Sequence, residues 1–222
     1  AVAVPSKLDG YTVTKIGVNA FSGNTALRSV TMPNTVVEIG SRAFQNCTNL
    51  SSVSLSSSLE TLGGDVFRGC SSLLEIEIPK SLKEAESAYH GGGPFYDSSL
   101  KTVTFESGTT QIVNNLFRGA NNLENINLLD TITNIGSTAF YNCTALANIV
   151  IPPYVTNIGS SAFDGCTGLT NIDIPDYVTE IGSNAFQDCS NLSSVSLSSS
   201  LETLGGDVFR GCSSLLEIEI PK

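Results

Sequence analysis

Basic residues are scarce in this sequence. Its 222 residues include 11 Lys and Arg against 21 Asp and Glu, which gives a formal net charge of −10. Proteins that bind nucleic acid or anionic lipid need a stripe of basic side chains to neutralise phosphate groups. We therefore expect neither nucleic acid nor an anionic membrane surface as a partner. No apolar run approaches the roughly 18 residues that span a bilayer, so membrane insertion is not expected either.

Residues that usually carry catalysis or bind metals are equally few. Trp is absent, and His90 is the single histidine. Without a nucleophile arranged beside it or a second histidine, His90 does not indicate a catalytic or metal site. The six cysteines never occur as Cys-x-x-Cys, the usual spacing of zinc sites. The sequence therefore predicts no catalytic residues, no cofactor and no metal, as in a protein that is not an enzyme.

The abundant feature is a repeat of fixed period with the consensus I-G-x-x-A-F-x-x-C-x-x-L-x-x-I-x-I-P. A new copy begins at every 23rd position, with one longer step from Ala85 to Ile112. A fixed period in the range of roughly 20–50 residues indicates a solenoid, because one such unit cannot bury its apolar face alone. The nine copies begin at Ile16, Ile39, Leu62, Ala85, Ile112, Ile135, Ile158, Ile181 and Leu204.

The repeat predicts one solenoid domain. Residues 1–15 form an N-terminal half-repeat or cap, and residues 16–222 form nine coils, of which the fourth, 85–111, is irregular. The last coil ends on a strand without a polar cap, which predicts either a longer native protein or end-to-end self-association of chains. Residues 49–80 and 191–222 are identical in sequence, which indicates a recent duplication or an engineered choice.

Each coil contains a short segment in which polar and apolar residues alternate. In the second coil, Val53 and Leu55 are expected to point inward, with the serines between them pointing outward. Alternation with a period of two predicts a strand with one buried face, and stacking such strands coil upon coil makes a parallel sheet. Ile-Gly, which follows further on, predicts a second short strand with a glycine turn. The A-F-x-x-C segment is long enough for about one helical or 3₁₀ turn.

Two columns of side chains are predicted to belong to the core. Nine of the ten Phe share one position of the repeat, where stacked rings would form a continuous apolar spine. All six Cys lie three residues after this Phe, a position that Asn24 and Ala120 occupy in other coils. Parallel side chains about 4.8 Å apart do not have the converging geometry of a disulfide. We therefore expect free, buried thiols that pack as small apolar groups.

The full consensus resembles the BspA-like (Treponema-type) class of leucine-rich repeats, and the match extends over Ile16–Lys222. This resemblance implies an α/β, mostly β, right-handed solenoid. A curved parallel sheet would form its concave face, and short strands with helical or 3₁₀ turns would form the other side. It also implies an extracellular or cell-surface protein of bacteria or microbial parasites that binds host or neighbouring-cell proteins. The family has no catalytic residues to transfer.

The outward strand positions are the first candidate binding site, because solenoids commonly bind partners on such a sheet. The alternative is a solvated face, since these positions lack the Trp, Tyr and Arg that dominate interfaces. A weak cation site at the paired glutamates is a further alternative. The candidate residues are Ser52, Ser54, Glu75, Glu77, Thr102, Thr104, Asn125, Asn127, Asn148, Asn171 and Asp173.

The irregular fourth coil supplies the second candidate site. Its four additional residues fall in a stretch with three consecutive glycines, the single histidine and two tyrosines. Loops that interrupt a regular scaffold often carry function, although insertions are also simply tolerated at such places. The candidate recognition residues in this loop are Tyr89, His90, Phe95 and Tyr96.

Together these features predict a non-enzymatic, adhesin-type module that binds a host matrix or cell-surface protein. Two alternatives remain open at this point. The chain could be a structural spacer or targeting arm of a larger surface protein, or it could bind carbohydrate or a cation weakly.

Overall fold

The structure, a computed structural model, describes residues 1–219 and consists of twenty short strands joined by turns. In chain order the strands are β1 (Val2–Ala3), β2 (Lys7–Leu8), β3 (Tyr11–Thr12), β4 (Lys15–Ile16), β5 (Ser29–Thr31), β6 (Glu38–Ile39), β7 (Ser52–Ser54), β8 (Thr61–Leu62), β9 (Glu75–Ile78), β10 (Glu84–Ala85), β11 (Thr102–Phe105), β12 (Gln111–Ile112), β13 (Asn125–Ile126), β14 (Asn134–Ile135), β15 (Asn157–Ile158), β16 (Asn171–Asp173), β17 (Glu180–Ile181), β18 (Ser194–Ser196), β19 (Thr203–Leu204) and β20 (Glu217–Glu219). Residues 220–222, on which the expected end-to-end pairing partly depends, lie outside the described residues.

One set of strands, called here the front strands, comes from the alternating segment of each coil. It comprises β1, β5, β7, β9, β11, β13, β16, β18 and β20, and every pairing within it is parallel. Neighbours pair one repeat apart, as in Ser29 with Ser52 and Val30 with Val53. Burial alternates along β9 and β11, with Ile76 and Ile78 inside and their neighbours exposed. The predicted one-sided parallel strands are therefore confirmed.

The second set, called here the back strands, comprises the two-residue strands β4, β6, β8, β10, β12, β14, β15, β17 and β19. They pair in parallel and in register, for example Ile39 with Leu62, and their second residue is buried in most coils. The short second strand predicted before the glycine is therefore confirmed. The half-repeat at the N-terminus adds β1 beside β5, followed by the antiparallel hairpin of β2 and β3.

The expected helical or 3₁₀ turns are not confirmed, because in the described residues the A-F-x-x-C segment forms a run of separate turns. Alternate residues donate backwards within the coil, as Ala43 N–H does to Gly40 O at 3.2 Å. The residues between them donate to the next coil, as Phe44 N–H does to Val66 O at 3.0 Å. Arg42 has a φ of 61°, and a residue in the left-handed region cannot continue a right-handed helix. The class is therefore mostly β, without the helix that the α/β label implied.

The glycine after the back-strand Ile begins a turn, as predicted, with Ala162 N–H donating to Gly159 O at 3.2 Å. The φ of Gly159 is not positive; instead, a Cβ placed on it would lie 2.5 Å from the backbone nitrogen of Ser137 in the preceding coil. The residue before the Cys position has the positive φ, for example 58° at Asn46 and 69° at Gly69. Gly and Asn occur there because they enter the left-handed region at little steric cost.

The predicted Phe column is confirmed. Its nine rings stack coil upon coil with centroids 5.1–5.8 Å apart, and all but the first and last of them are fully buried. The tenth ring, Phe105, meets Phe117 edge-on from its strand position. Each stacked ring removes a large apolar area from water, so the column supplies a major part of the solenoid's stability.

The cysteines are free, as expected, and five of the six are fully buried. Each thiol also donates to the backbone oxygen of the Phe in the preceding coil, as Cys143 does to Phe117 at 3.2 Å. This hydrogen bond gives the Cys position a second role that its small size alone did not indicate. Burial raises the pKa of the Cys70 and Cys166 thiols to about 12, so both stay protonated donors at neutral pH.

Neither set of strands forms one continuous sheet. The back strands divide between β10 and β12, where the insertion of coil 4 separates neighbours that are otherwise in register. There, the side-chain amide of Asn115 donates to Ala85 O at 3.1 Å. The front strands divide between β7 and β9, and again at coil 6, where residues 148–151 have no strand partner in the described structure.

Candidate binding surface

All eleven candidate residues of the alternating segments are exposed, and the surface that they form is called here the front face. The alternation of the strands turns their side chains outward while the residues between them fill the core. Acidic residues on this face include Glu75, Glu77 and Asp173, and no front-strand position that points outward holds Lys or Arg. Within residues 1–219, none of these three carboxylates lies within ion-pair distance of a basic side chain.

Two basic residues at the rim of the front face have acidic partners. Lys80 Nζ lies 2.8 Å from Glu106 Oε1, and Lys101 Nζ lies 2.7 Å from Glu124 Oε1. The hydrogen bonds from Lys80 lower the pKa of the Glu106 carboxyl. These pairs leave the centre of the front face with uncompensated negative charge, which attracts cationic groups of a partner.

Shallow cavities of about 170–320 Å³ follow one another along the front face. One of them is lined partly by Val150, which is 82% exposed although other coils place a polar residue there. The cavities between β7 and β9 combine exposed glutamates with the half-buried side chains of Val53 and Leu55. The face therefore offers both apolar contact area and acidic groups.

The insertion in coil 4 folds back on the turn segments of its neighbours. A tight turn closes it, with Ala88 N–H donating to Gly92 O at 2.7 Å. The Arg118 side chain, through Nε, donates to Gly91 O, and the guanidinium of Arg68 lies 5.3 Å from the ring centroid of Tyr96. The loop is therefore attached to coils 3 and 5.

A buried carboxylate lies under this loop. The side chain of Asp65 is fully buried, and His90 Nε2 lies 2.8 Å from its Oδ2 atom. Arg42 Nε and Arg68 Nη1 are more distant, at 3.8 and 3.9 Å. Neither oxygen of Asp65 accepts a well-aligned hydrogen bond. Arg68 Nη1 also lies 3.0 Å from His90 Nε2, so this nitrogen either donates to Asp65 or accepts from Arg68, according to the tautomer of His90.

The four loop candidates differ in their exposure to solvent. Tyr89 is fully exposed and His90 is exposed at one edge, whereas Tyr96 is half-buried under Arg68. Phe95 is completely buried in the Phe column, so it cannot contact a partner. The loop contacts turn segments, and it does not line the front-face cavities described above, so the structure does not bring the two candidate sites together.

Asp65 is the residue that sequence reasoning missed. Its position carries Asp in only two coils, at 65 and 207, and the local residues are the same in both. Nothing in that local sequence indicates that one copy is buried beneath the insertion while the other is exposed.

Two further observations concern metals and membranes. Among residues 1–219, no three His, Cys, Asp or Glu side chains come together as a set of metal ligands. Nor does this part of the chain contain a helix of the length and hydrophobicity needed to cross a bilayer.

Comparisons with known proteins agree with the observed repeat. A family profile described as "BspA type Leucine rich repeat region (6 copies)" matches residues 7–124 and 110–222. No curated protein matches this chain. Among solved structures, a leucine-rich repeat protein from Bacteroides ovatus is 25% identical with a TM-score of 0.58. That match covers 98% of this chain and 62% of the other, so this chain spans about three-fifths of that protein's length.

Two other solved structures have the same fold. The T. pallidum leucine-rich repeat protein is 27% identical with a TM-score of 0.51. That match covers 97% of this chain and 78% of the T. pallidum chain. A leucine-rich cell surface protein from Faecalibacterium prausnitzii is 22% identical with a TM-score of 0.52, and the match covers 98% of this chain and 86% of the other. Because the family profile matches nearly all residues, this chain belongs to the BspA-type leucine-rich repeat family.

Proposed function

We propose that this chain is a non-enzymatic module of a secreted or cell-surface protein that binds another protein through its front face. The observation that supports this most directly is the row of exposed side chains on consecutive coils, which includes carboxylates without a basic partner. A rigid, extended face of this kind suits a large protein surface better than a small molecule, which needs an enclosed cavity. The shallow cavities of the front face are open to solvent.

The surface location is proposed by analogy. The Faecalibacterium prausnitzii protein, which has the same fold, is described as a leucine-rich cell surface protein, and the family profile matches the repeat of this chain. Buried thiols that remain free add no information on the compartment, because their geometry does not permit disulfides in any case.

Host matrix or cell-surface proteins are the partner class that we propose. The test is binding of purified matrix proteins to the immobilised chain, measured by surface plasmon resonance. In the test variant, Glu75, Asn125 and Asn171 are replaced by Lys, which places cations along the front face. We expect this variant to lose binding at least ten-fold, because like charges and longer side chains now occupy the contact area.

A matched control carries the same charge change on the other side of each coil. Thr133, Thr156 and Glu180 are exposed near the back strands, and their replacement by Lys alters the net charge equally. This control should bind like the unmodified chain. Equal loss in both variants, or unchanged binding in the front variant, would contradict the proposal. The loop is tested separately by Tyr89→Ala, because Tyr89 is its most exposed side chain.

A spacer role is the second candidate. It is favoured by the absence of Trp, Tyr and Arg from the outward positions of the front face in the described residues, since such residues supply most of the binding energy in protein interfaces. Failure of the unmodified chain to bind any matrix or cell-surface protein in the same measurement would support it.

A further inference from the structure

On the front face, the neighbouring strands β7 and β9 are not paired, and the gap between them is called here the parting. The same amino-acid sequence occurs a second time, and there the two strands are paired. Residues 49–80 and 191–222 are identical, so β7 and β9 have the same sequence as β18 and β20 over the described residues. In the second copy the strands pair, Val195 opposite Ile218, and Leu197 N–H donates to Glu219 O at 3.1 Å. In the first copy no backbone hydrogen bond joins residues 51–55 to residues 74–78.

The parting therefore arises from the surroundings and not from local sequence. β9 pairs along all four of its residues with β11, the front strand of the coil that carries the insertion. On its other side, β7 pairs fully with β5. Each strand thus belongs to a separate group of three, and the Leu55 N–H and the Glu77 carbonyl lack the mutual bond that their counterparts make.

Cavities line the parting, as they also line the paired strands β11 and β13, where one of about 320 Å³ lies. Two adjoining cavities of about 280 and 300 Å³ lie along the parting and share Val53 and Glu77 in their walls. The equivalent place between β18 and β20 has a cavity of only about 170 Å³. Val53 and Leu55 are half-buried, whereas their counterparts Val195 and Leu197 are buried and only 2% and 7% exposed. The open copy consequently exposes apolar walls that the closed copy covers.

The chemistry of the parting fits a long cationic side chain. Glu75 and Glu77 are exposed at its mouth without a basic partner, since Lys80 is already paired with Glu106. The alkyl part of Lys or Arg packs on apolar walls while its charged end reaches carboxylates and free carbonyl groups. Both glutamates point outward from one strand two residues apart, which separates them by about 6.6–6.8 Å.

We propose that this parting is the anchoring subsite of the front face, and that it binds an extended segment of a partner polypeptide with Arg or Lys at alternating positions. The spacing of side chains on one face of an extended peptide equals the spacing of Glu75 and Glu77, so two basic residues can meet both glutamates. This inference rests on the proposed function, because it names the chemistry of the partner segment at the same face.

The duplicated sequence supplies a matched pair of variants for the test. Glu75→Gln with Glu77→Gln removes two charges at the open parting, and Glu217→Gln with Glu219→Gln removes two from identical residues at the closed one. The probe is a fluorescent eight-residue peptide of alternating Arg and Thr, and binding is followed by fluorescence anisotropy. We expect the first variant to weaken binding at least ten-fold and the second less than two-fold.

Several results would overturn the inference. Equal weakening by the two variants would mean that the peptide detects overall acidity and not the parting. Absence of peptide binding to the unmodified chain, or equally strong binding of an Arg₄Thr₄ peptide, would exclude the alternating arrangement. If these results occur while the front-face lysine variant still loses matrix-protein binding, the inference is wrong and the proposed function stands.

Hydrogen exchange provides a measurement that does not depend on affinity or on any substitution. The Leu55 amide should exchange faster than the Leu197 amide, because only the latter has a backbone acceptor across the strand gap. Saturating alternating peptide should slow exchange at Leu55 and leave Leu197 unchanged. Equal protection of the two amides in the free chain would show that the parting is closed in solution, and would contradict the inference.

Discussion

Replacing His90 with Ala removes the polar side chain nearest to a fully buried carboxylate. His90 Nε2 lies 2.8 Å from Asp65 Oδ2, and the two neighbouring arginines remain at 3.8 and 3.9 Å. The histidine is also one of the contacts that hold the tip of the insertion against coil 3, together with the contact of Arg68 with Tyr96. We therefore expect the substitution to destabilise the attachment of the loop far more than it destabilises the solenoid, since each repeat contacts only its neighbours.

The size of the effect follows from burial. Leaving a buried charged group without its nearest polar partner costs about 1–5 kcal/mol, whereas an exposed pair contributes at most about 1 kcal/mol. Here Asp65 is fully buried, but the His90 side chain is 40% exposed and two arginines partly compensate the charge. We therefore expect an intermediate loss of about 2 kcal/mol, which corresponds to about 30-fold in the opening equilibrium of the loop.

Amide hydrogen exchange measures this opening directly. The amides of Asp65, Phe67 and Gly69 donate to the carbonyls of residues 93, 94 and 97 at 3.0, 2.8 and 3.1 Å. They should exchange about 30-fold faster in His90→Ala, because each can exchange only when the loop detaches. Amides of the last coils should keep their rates.

A double-mutant cycle with Asp65→Asn tests whether the two side chains act together. Asn keeps the shape of Asp and tolerates the φ of 57° at this position. The double variant should lose about 1–2 kcal/mol less than the sum of the single losses. Asp207→Asn is the matched control, because Asp207 has the same local sequence and is exposed, so its effect should stay within about 0.5 kcal/mol. Additive losses, or equal effects of Asp65→Asn and Asp207→Asn, would refute the reasoning.

Three further predictions concern the core. Phe163→Ala should destabilise the chain by about 3–5 kcal/mol in urea unfolding followed by circular dichroism, because it leaves a gap in the stacked column; a loss below about 1 kcal/mol would show that the column collapses around the gap. Gly159→Ala should cost about 1–3 kcal/mol by the same measurement, since its Cβ would lie 2.5 Å from backbone, whereas Gly206→Ala meets no atom within 4 Å and should be tolerated. Cys166, whose pKa burial raises to about 12, should resist a thiol-specific reagent at pH 8, because little thiolate forms below the pKa, and the half-buried Cys212 should react first; the reverse order of labelling would contradict this.

Much of the fold could be predicted because each structural position recurs in several coils. The Phe column, the Cys column and the alternating strand each repeat the same residue types at one phase, so a single interpretation had to satisfy every copy. The predicted strands, stacked rings and free thiols are accordingly confirmed. The turn segment was predicted less well, because a short A-F-x-x-C segment can close as a helical turn or as separate turns. Positive φ at positions such as Arg42 decides between them, and Arg gives no sign of it in sequence.

The candidate binding residues were also predicted with unequal success. Outward strand positions follow from a period of two, so all eleven front-face residues are exposed as expected. Phe95 shows the limit of a loop prediction, because its place in the Phe column and its place in the insertion gave opposite expectations for its exposure. Phe95 is buried in the column, because transferring a stacked aromatic ring from water to the core lowers the free energy of the folded chain.

The amino-acid sequence by itself determined the solenoid, its phase and its core, because apolar residues that recur at a fixed period can be buried only by stacking. The tertiary structure alone decided which neighbouring strands are hydrogen-bonded to each other and which are not. One duplicated sequence places Asp65 under a loop and Asp207 in solvent, and it parts β7 from β9 while pairing β18 with β20. Strand pairing and burial depend on neighbouring coils, and the insertion changes those neighbours around the first copy without altering a residue within it.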